Sequence, residues 1–418
     1  MAERIISRRE MQVRSAAARL VWLAMVMCAA PARAQTLPDE PITFADGRVT
    51  LAGDVSAGFS NTDRGFFNYT DYDHSALRLL RLDLSAAVTA GSHVSLLGEL
   101  RSENFDTLQP YAAYVRFRPW TAHEFDIQAG VVPPTFGAFA RRTYAWDNPL
   151  IGYPLAYQYL TSLRPDSLPA SADDLVRRKG VGWRDRFAIG DQTPEPGVPL
   201  VNAFRWDTGV QVHVASQDHL IAATAAVTAG TLSNPLYLGD NGGRQIAGRV
   251  EAHPVIGLIV GVSAGRGPFV SSSAARAAAG DGHQGEFTQT GYGLDVEYSR
   301  GHYLARVESI VSDWRLPIVR EPTLRLPLRA VSTSVEGRYK IAPGLYVAAR
   351  VDHLGFSEVD TSAGLQSWDA PVTRVEAGTG ISIQRNLLLK FAYQYNRREG
   401  GPLVPTGRQT AAQLVYWF

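Results

Sequence analysis

From Val49 to Phe418 the chain is written in runs whose apolar residues recur at every second position, and the connectors between runs alternate between long and short. That double regularity limits the fold more than any composition figure does. Period-two alternation assigns strands with one apolar and one polar face. VSTSVEGRYK sets Val331, Thr333, Val335, Gly337 and Tyr339 against Ser332, Ser334, Glu336, Arg338 and Lys340. AFRWDTGVQVHVAS, from Ala203 to Ser216, sets Phe204, Trp206, Thr208 and Val210 against Arg205, Asp207, Gly209 and Gln211. Near the end, Phe391, Tyr393 and Tyr395 face away from Lys390, Gln394 and Asn396. About sixteen such runs can be marked, an even number of the kind bacterial outer-membrane barrels use.

The connectors assign the architecture. Short ones are AGS (90–92), PWTAH (119–123), SQDH (216–219), HPVIG (253–257), SRGH (299–302), IAPG (341–344) and QRN (384–386). Most of the others are longer and rich in Gly, Asn, Asp and Ser, such as SNTDRGFFNYTDYDHS and SSSAARAAAGDGHQG, although the one near Asn104 to Leu108 is brief. Tight turns at one rim and long loops at the other describe a transmembrane antiparallel β-barrel; a soluble sandwich has no reason to keep such order. In a bilayer every strand must be paired on both sides, so the sheet must close. The expected fold is all-β, a closed barrel of about sixteen strands over 49–418.

The first residues give the compartment. Arg4, Arg8, Arg9, Arg14 and Arg19 precede LVWLAMVMCAA (Leu20 to Ala30) and then Ala32-Arg33-Ala34. A basic stretch, a short apolar core and an A-x-A site predict a secretory signal peptide over 1–34. The core falls short of the roughly 20 apolar residues a spanning helix needs. Ser7-Arg8-Arg9 resembles a twin-arginine signal, but Met11 and Gln12 do not continue it. Met11 could serve as the start, and Met27 fits poorly before a lipid-modified Cys28. Residues 35–48 are then expected to be a short periplasmic segment. Cleavage removes the only cysteine, so disulfides, thiolate metal ligands and a Cys nucleophile are excluded from the mature chain. The leader carries six Arg and two Glu, which leaves 35 basic and 38 acidic residues of the original 41 and 40. That balance offers nothing to nucleic acid.

One connector breaks the rhythm, from Pro133 to about Asn202. A structureless stretch of that length is unusual inside a domain, and its aromatic content argues for folding. As the third long loop it is expected to fold into the lumen as a constriction or plug. Its charges are the candidate solute contacts: Arg141, Arg142, Asp173, Asp174, Arg177, Arg178 and Lys179. Guanidinium groups at a narrowing attract phosphate, sulfate or carboxylate through planar paired donors. The plainer alternative is a folded loop whose charges pair with the wall, and the two readings weigh equally on the sequence. The inner wall is expected to carry Arg116, Arg205, Arg306, Arg338, Arg350, Arg374 and Lys390. Carboxylates stand two residues from several of these, as Asp352 does from Arg350. Charges on the lipid face would cost about 2–4 kcal/mol each at the midplane, so these must point inward.

The terminal RQTAAQLVYWF sends Tyr416, Leu414, Ala412 and Thr410 one way and Trp417, Val415, Gln413 and Ala411 the other. Tyr416, Phe418, Tyr298, Tyr303 and Tyr339 lie beside short turns and suit an aromatic girdle. The signal segment, the strand number, AGVVPPTFGAFARR (Ala129 to Arg142) and the final YWF together resemble the phosphate-selective porin group and related outer-membrane porins. The resemblance implies a channel in the bacterial outer membrane and recognition of Phe418 by the barrel-assembly machinery; a homotrimer is expected only by analogy. With three lysines, Lys179, Lys340 and Lys390, the chain departs from the lysine-rich path of a phosphate channel.

The functional expectation is a passive channel for small hydrophilic solutes, with anion preference open. The alternative is a plugged barrel, or a sheath around a partner such as an electron-transfer cytochrome. An enzyme is not expected: His74, His283 and Asp281 fall in loops, and the chain has no G-x-S-x-G or H-E-x-x-H. No cofactor or metal is expected, and C-x-x-C-H is absent. The run NPLIGYPLAYQYL, from Asn148 to Leu160, reads as a packing motif with no assigned function.

Overall fold

A computed structural model describes residues 38–418 apart from 71–73, 121 and 183–185, with the side chains of 322 and 323 also left aside. The expected signal segment, 1–34, therefore lies outside the described residues. Residues 40–418 form one unit. Sixteen strands make up its wall. They begin with β1 Val49–Ser60, β2 Leu80–Thr89, β3 Val94–Glu103, β4 Gln109–Phe117 and β5 Phe125–Val132. Next come β6 Asp207–Ala215, β7 Ile221–Thr228, β8 Gln245–Val255, β9 Leu258–Pro268 and β10 Thr288–Arg300. The last six are β11 Tyr303–Trp314, β12 Leu328–Ala342, β13 Leu345–Phe356, β14 Val372–Gln384, β15 Leu387–Arg398 and β16 Thr406–Trp417.

Each strand pairs antiparallel with its neighbour in sequence, and β16 pairs back onto β1 from Asp54↔Trp417 to Ser60↔Ala411. The sheet is a closed sixteen-strand barrel, as the alternation predicts. Closure removes the unpaired edge that a bilayer would leave unsatisfied. Phe418 takes part directly: its N–H donates to the Gly53 carbonyl at 3.0 Å, and its carbonyl accepts from Gly53 N–H at 3.2 Å. Below that point Ile42–Phe44, within the stretch ahead of the barrel, pairs with Val49–Leu51 and continues the ladder. Removing Trp417 and Phe418 should therefore leave this seam open. A several-fold loss of heat-modifiable barrel on refolding, read by electrophoretic mobility, is the expected outcome.

The seven short connectors join β2 to β3, β4 to β5, and so on to β14 and β15, all at one rim. Side chains alternate as expected. In β15, Leu388, Lys390, Ala392, Gln394, Asn396 and Arg398 are buried, whereas Phe391, Tyr393, Tyr395 and Arg397 are exposed. Outside, Tyr303 and Tyr339 lie 4.9 Å apart, and Tyr416 and Phe418 6.3 Å apart, beside the short turns. The run at Ala203 starts later than its alternation suggests. Its strand begins at Asp207, because Ala203 is drawn into the loop's buried cluster and Trp206 turns onto Tyr111 of β4, so Arg205 belongs to the loop and not to a wall strand.

Candidate functional site

The long connector runs from Pro133 to Trp206, leaving β5 and returning to the adjacent β6 at Val132↔Asp207. Pro133 and Pro134 end β5, since proline supplies no ladder N–H. The segment then crosses the lumen and is gripped from several sides. Ser263 of β9 accepts from Gly137 N–H at 3.1 Å. Glu308 of β11 accepts from Ala138 N–H and from the Tyr157 hydroxyl, both at 2.7 Å. Glu376 of β14 accepts from Gly152 N–H at 2.9 Å. From β15, the Lys390 ammonium donates to the carbonyls of Ala145, Asn148 and Leu150 at 2.5, 2.7 and 3.2 Å. Arg374 donates to the Tyr153 carbonyl at 3.0 Å, to Gln158 at 3.1 Å and to the Phe67 carbonyl of the first long loop at 2.7 Å. From β2, Arg81 reaches the Thr143 carbonyl at 3.1 Å.

These bonds explain the run that carried no function in the sequence. Asn148 to Leu160 receives many of the wall's bonds, and Leu155–Gln158 is a short buried helix within it. Burying so many loop carbonyls is tolerable only because each finds a donor. Gly137 makes the crossing turn at φ +77, where a Cβ would come within 2.3 Å of the Tyr157 hydroxyl. Gly137→Ala should displace that hydroxyl from Glu308 and add the ~1–2 kcal/mol strain of a left-handed L-residue. Faster amide exchange over 137–142 is the expected readout.

Apolar packing anchors the loop in the long-loop half of the interior. Phe139 meets Tyr153 at 5.7 Å and Tyr157 at 5.0 Å, and Tyr153 meets Phe204 at 5.2 Å. Leu155, Leu163, Leu168 and Leu175 join wall residues Ile310, Trp314, Leu354 and Val372 in one buried cluster. Each such side chain contributes about 1.5–3 kcal/mol by leaving water. The fourteenth strand is preceded by Asp369, whose buried carboxylate accepts from Ser162 N–H at 2.6 Å and Gly180 N–H at 2.7 Å. Burial raises its pKa above the ordinary carboxylate value even against those donors.

The wall charges pair across strands more than along them. Arg350 donates to Glu336 at 3.2 Å, Asp352 at 3.1 Å and Glu376 at 2.7 Å, spanning β12 to β14. Arg101 meets Asp83 at 2.5 Å with its guanidinium 3.4 Å over the Tyr111 ring. Arg249 pairs with Asp295 and, at 3.1 Å, with Glu251. Arg306 bridges Glu297 and Glu336 at 2.9 and 3.1 Å. Strands lie about 4.8 Å apart whereas same-face residues along a strand are nearly 7 Å apart, so cross-strand partners are nearer.

The expected solute-contact residues form two groups. Arg141 is exposed, with its Nε on the Pro134 carbonyl at 2.9 Å, and Arg142 pairs with Glu297 of the wall. Asp173, Asp174, Arg177, Arg178 and Lys179 sit in and after the helix Ala172–Arg177, which packs on the hairpin Glu358–Thr361 and Gly364–Ser367. There Asp174 holds Arg177 and Arg178 at 2.6 Å each, Asp173 accepts from Ser362 at 3.0 Å, and Lys179 reaches Gln366 at 3.4 Å. This second group closes its own charges within the long-loop side. Of the wall residues, Arg116 stands 3.9 Å from Asp126, and Arg338 lies with its guanidinium 5.8 Å from the Tyr346 ring. The sequence places Glu308 on the wall beside Arg306, but its grip on the loop, and Asp369 altogether, escaped the sequence reading, because an acidic residue in a strand or loop gives no sign of what folds against it.

At the long-loop side a cavity of about 430 Å³ opens between β3, β4 and the loop, bordered by Arg101, Glu103, Asp106, Tyr111, Arg205 and Tyr237. No helix among the described residues is long and apolar enough to cross a membrane.

No protein-family model and no curated protein matches the chain. Solved structures do. OmpF of Salmonella typhi, in complex with daunomycin, is 11% identical with a TM-score of 0.58, over 91% of this chain and 100% of that one. Outer-membrane OmpT of Vibrio cholerae is 12% identical at 0.52, over 91% and 100%. The anion-selective porin from Comamonas acidovorans is 12% identical at 0.51, over 88% and 99%. The fold is that of an outer-membrane porin. At such identities the likeness is one of fold, and the phosphate-selective group is not singled out.

Proposed function

We propose that the chain is a porin-like passive channel of the bacterial outer membrane, passing small hydrophilic solutes along a path narrowed by residues 133–206. The observation that carries this reading is the closed barrel with a charged interior and a folded-in third long loop. Anion preference is part of the proposal. Arg141 is exposed on the loop, and Arg338 on the wall has no ion pair among the described residues, while Arg116 is held only loosely, 3.9 Å from Asp126. Unpaired guanidinium groups in a confined aqueous space raise the local concentration of anions.

A second reading is a plugged barrel. The buried aromatic cluster and the ring of wall bonds favour it, because both fix the loop in place. A sheath around a partner protein fits less well, since the chain's own loop already occupies the lumen. Planar-bilayer conductance of the refolded mature protein separates the readings. Stable open steps with a reversal potential displaced toward the anion are expected, and Arg141→Gln with Arg142→Gln should move that potential toward neutrality. Silence from a heat-modifiable barrel would sink the channel and leave the plug.

A further inference from the structure

The outward face of β7 to β11 carries a groove of about 610 Å³. Its floor is Ala225, Gly248 and Ala264, which stand in register across β7, β8 and β9. Tyr292, opposite Ala264 on β10, rises beside it. At its long-loop end stand Arg266, across from Thr290, and Arg315, just past β11. Both arginines are exposed, and among the described residues neither side chain has a hydrogen bond or an ion pair. The one carboxylate bordering the groove, Asp313, is already held by Arg329 through two bonds of 2.8 Å.

Two free guanidinium groups on a surface that faces lipid need an anionic partner, and phosphate matches their paired donors. An apolar slot directly below them needs an apolar filling, since an unfilled groove forfeits dispersion contacts. One molecule supplies both. We propose that this groove binds a membrane lipid with a phosphate headgroup, the phosphate seated on Arg266 and Arg315 and an acyl chain lying along Ala225, Gly248 and Ala264. The inference rests on the membrane-embedded reading of the barrel and is independent of whether the pore is open.

The test is native mass spectrometry of the purified full barrel in detergent, with dioleoyl phosphatidic acid, dioleoylglycerol or inorganic phosphate added separately. Retention of the phosphatidic acid alone is expected. It should fall at least tenfold in the R266Q/R315Q double variant and also in Ala264→Leu, which fills the slot. Heat-modifiable mobility confirms that each variant is folded. Equal retention of dioleoylglycerol, equal retention of free phosphate, or unchanged lipid binding in the two variants would overturn the proposal. Insertion of the same preparation into liposomes checks the underlying membrane reading separately.

Discussion

Arg350→Met is expected to be the most damaging single substitution in the wall. The guanidinium serves Glu336, Asp352 and Glu376 on three consecutive strands, and Asp352 and Glu376 are fully buried. Methionine keeps much of the aliphatic stem and loses every donor. Breaking a buried ion pair from one side costs about 3–5 kcal/mol, because the remaining charge has neither water nor partner. The loss should reach the loop as well, since Glu376 also accepts from Gly152. Heat-modifiability followed by electrophoresis would show unfolding at a markedly lower temperature. Arg350→Lys should fall between, keeping the charge while reaching fewer carboxylates. An unchanged transition in the methionine variant would mean that these carboxylates are satisfied in some other way.

The second large effect is expected from Lys390→Met, and it should appear in dynamics more than in wall stability. Lys390 is the shared donor for the carbonyls of Ala145, Asn148 and Leu150. Leaving buried acceptors unpaired costs about 1–3 kcal/mol each, and the loop can escape part of that cost only by moving toward water. Amide exchange over 145–152 should accelerate by at least tenfold while the strands retain their protection. In bilayers, current through the variant should become larger or noisier as this part of the loop leaves the wall. Exchange equal to that of the unsubstituted protein would show that Arg374 and the aromatic packing hold the segment without the lysine.

The two substitutions differ because the two residues act on different things. Arg350 joins strand to strand, so its loss is felt wherever the barrel must stay closed. Lys390 joins strand to loop, so its loss is felt where a solute would pass. Both arise from the inward face of an alternating strand, and the alternation alone does not distinguish them.

Alternation and connector length determined the barrel from the sequence: the strand number, the two unlike rims, the inward direction of Lys390, Arg350 and Arg374, and the outward direction of Tyr303, Tyr339 and Tyr416. These follow from a strictly local rule, since successive side chains leave a strand on opposite sides. The long third loop was equally legible as a break in rhythm, although packing of Ala203 and Trp206 carries it past its expected end. What tertiary structure alone decided was partnership. It separated Arg141 and Arg142 from the Asp173 to Lys179 group, took Arg205 off the wall, and turned the unassigned run from Asn148 into the segment that Lys390 and Arg374 hold. It also made Glu308 and Asp369 acceptors for loop groups far away in the chain. Those pairings depend on which strands closure brings around the loop, and the short-range pattern of residues carries no record of distance across a lumen.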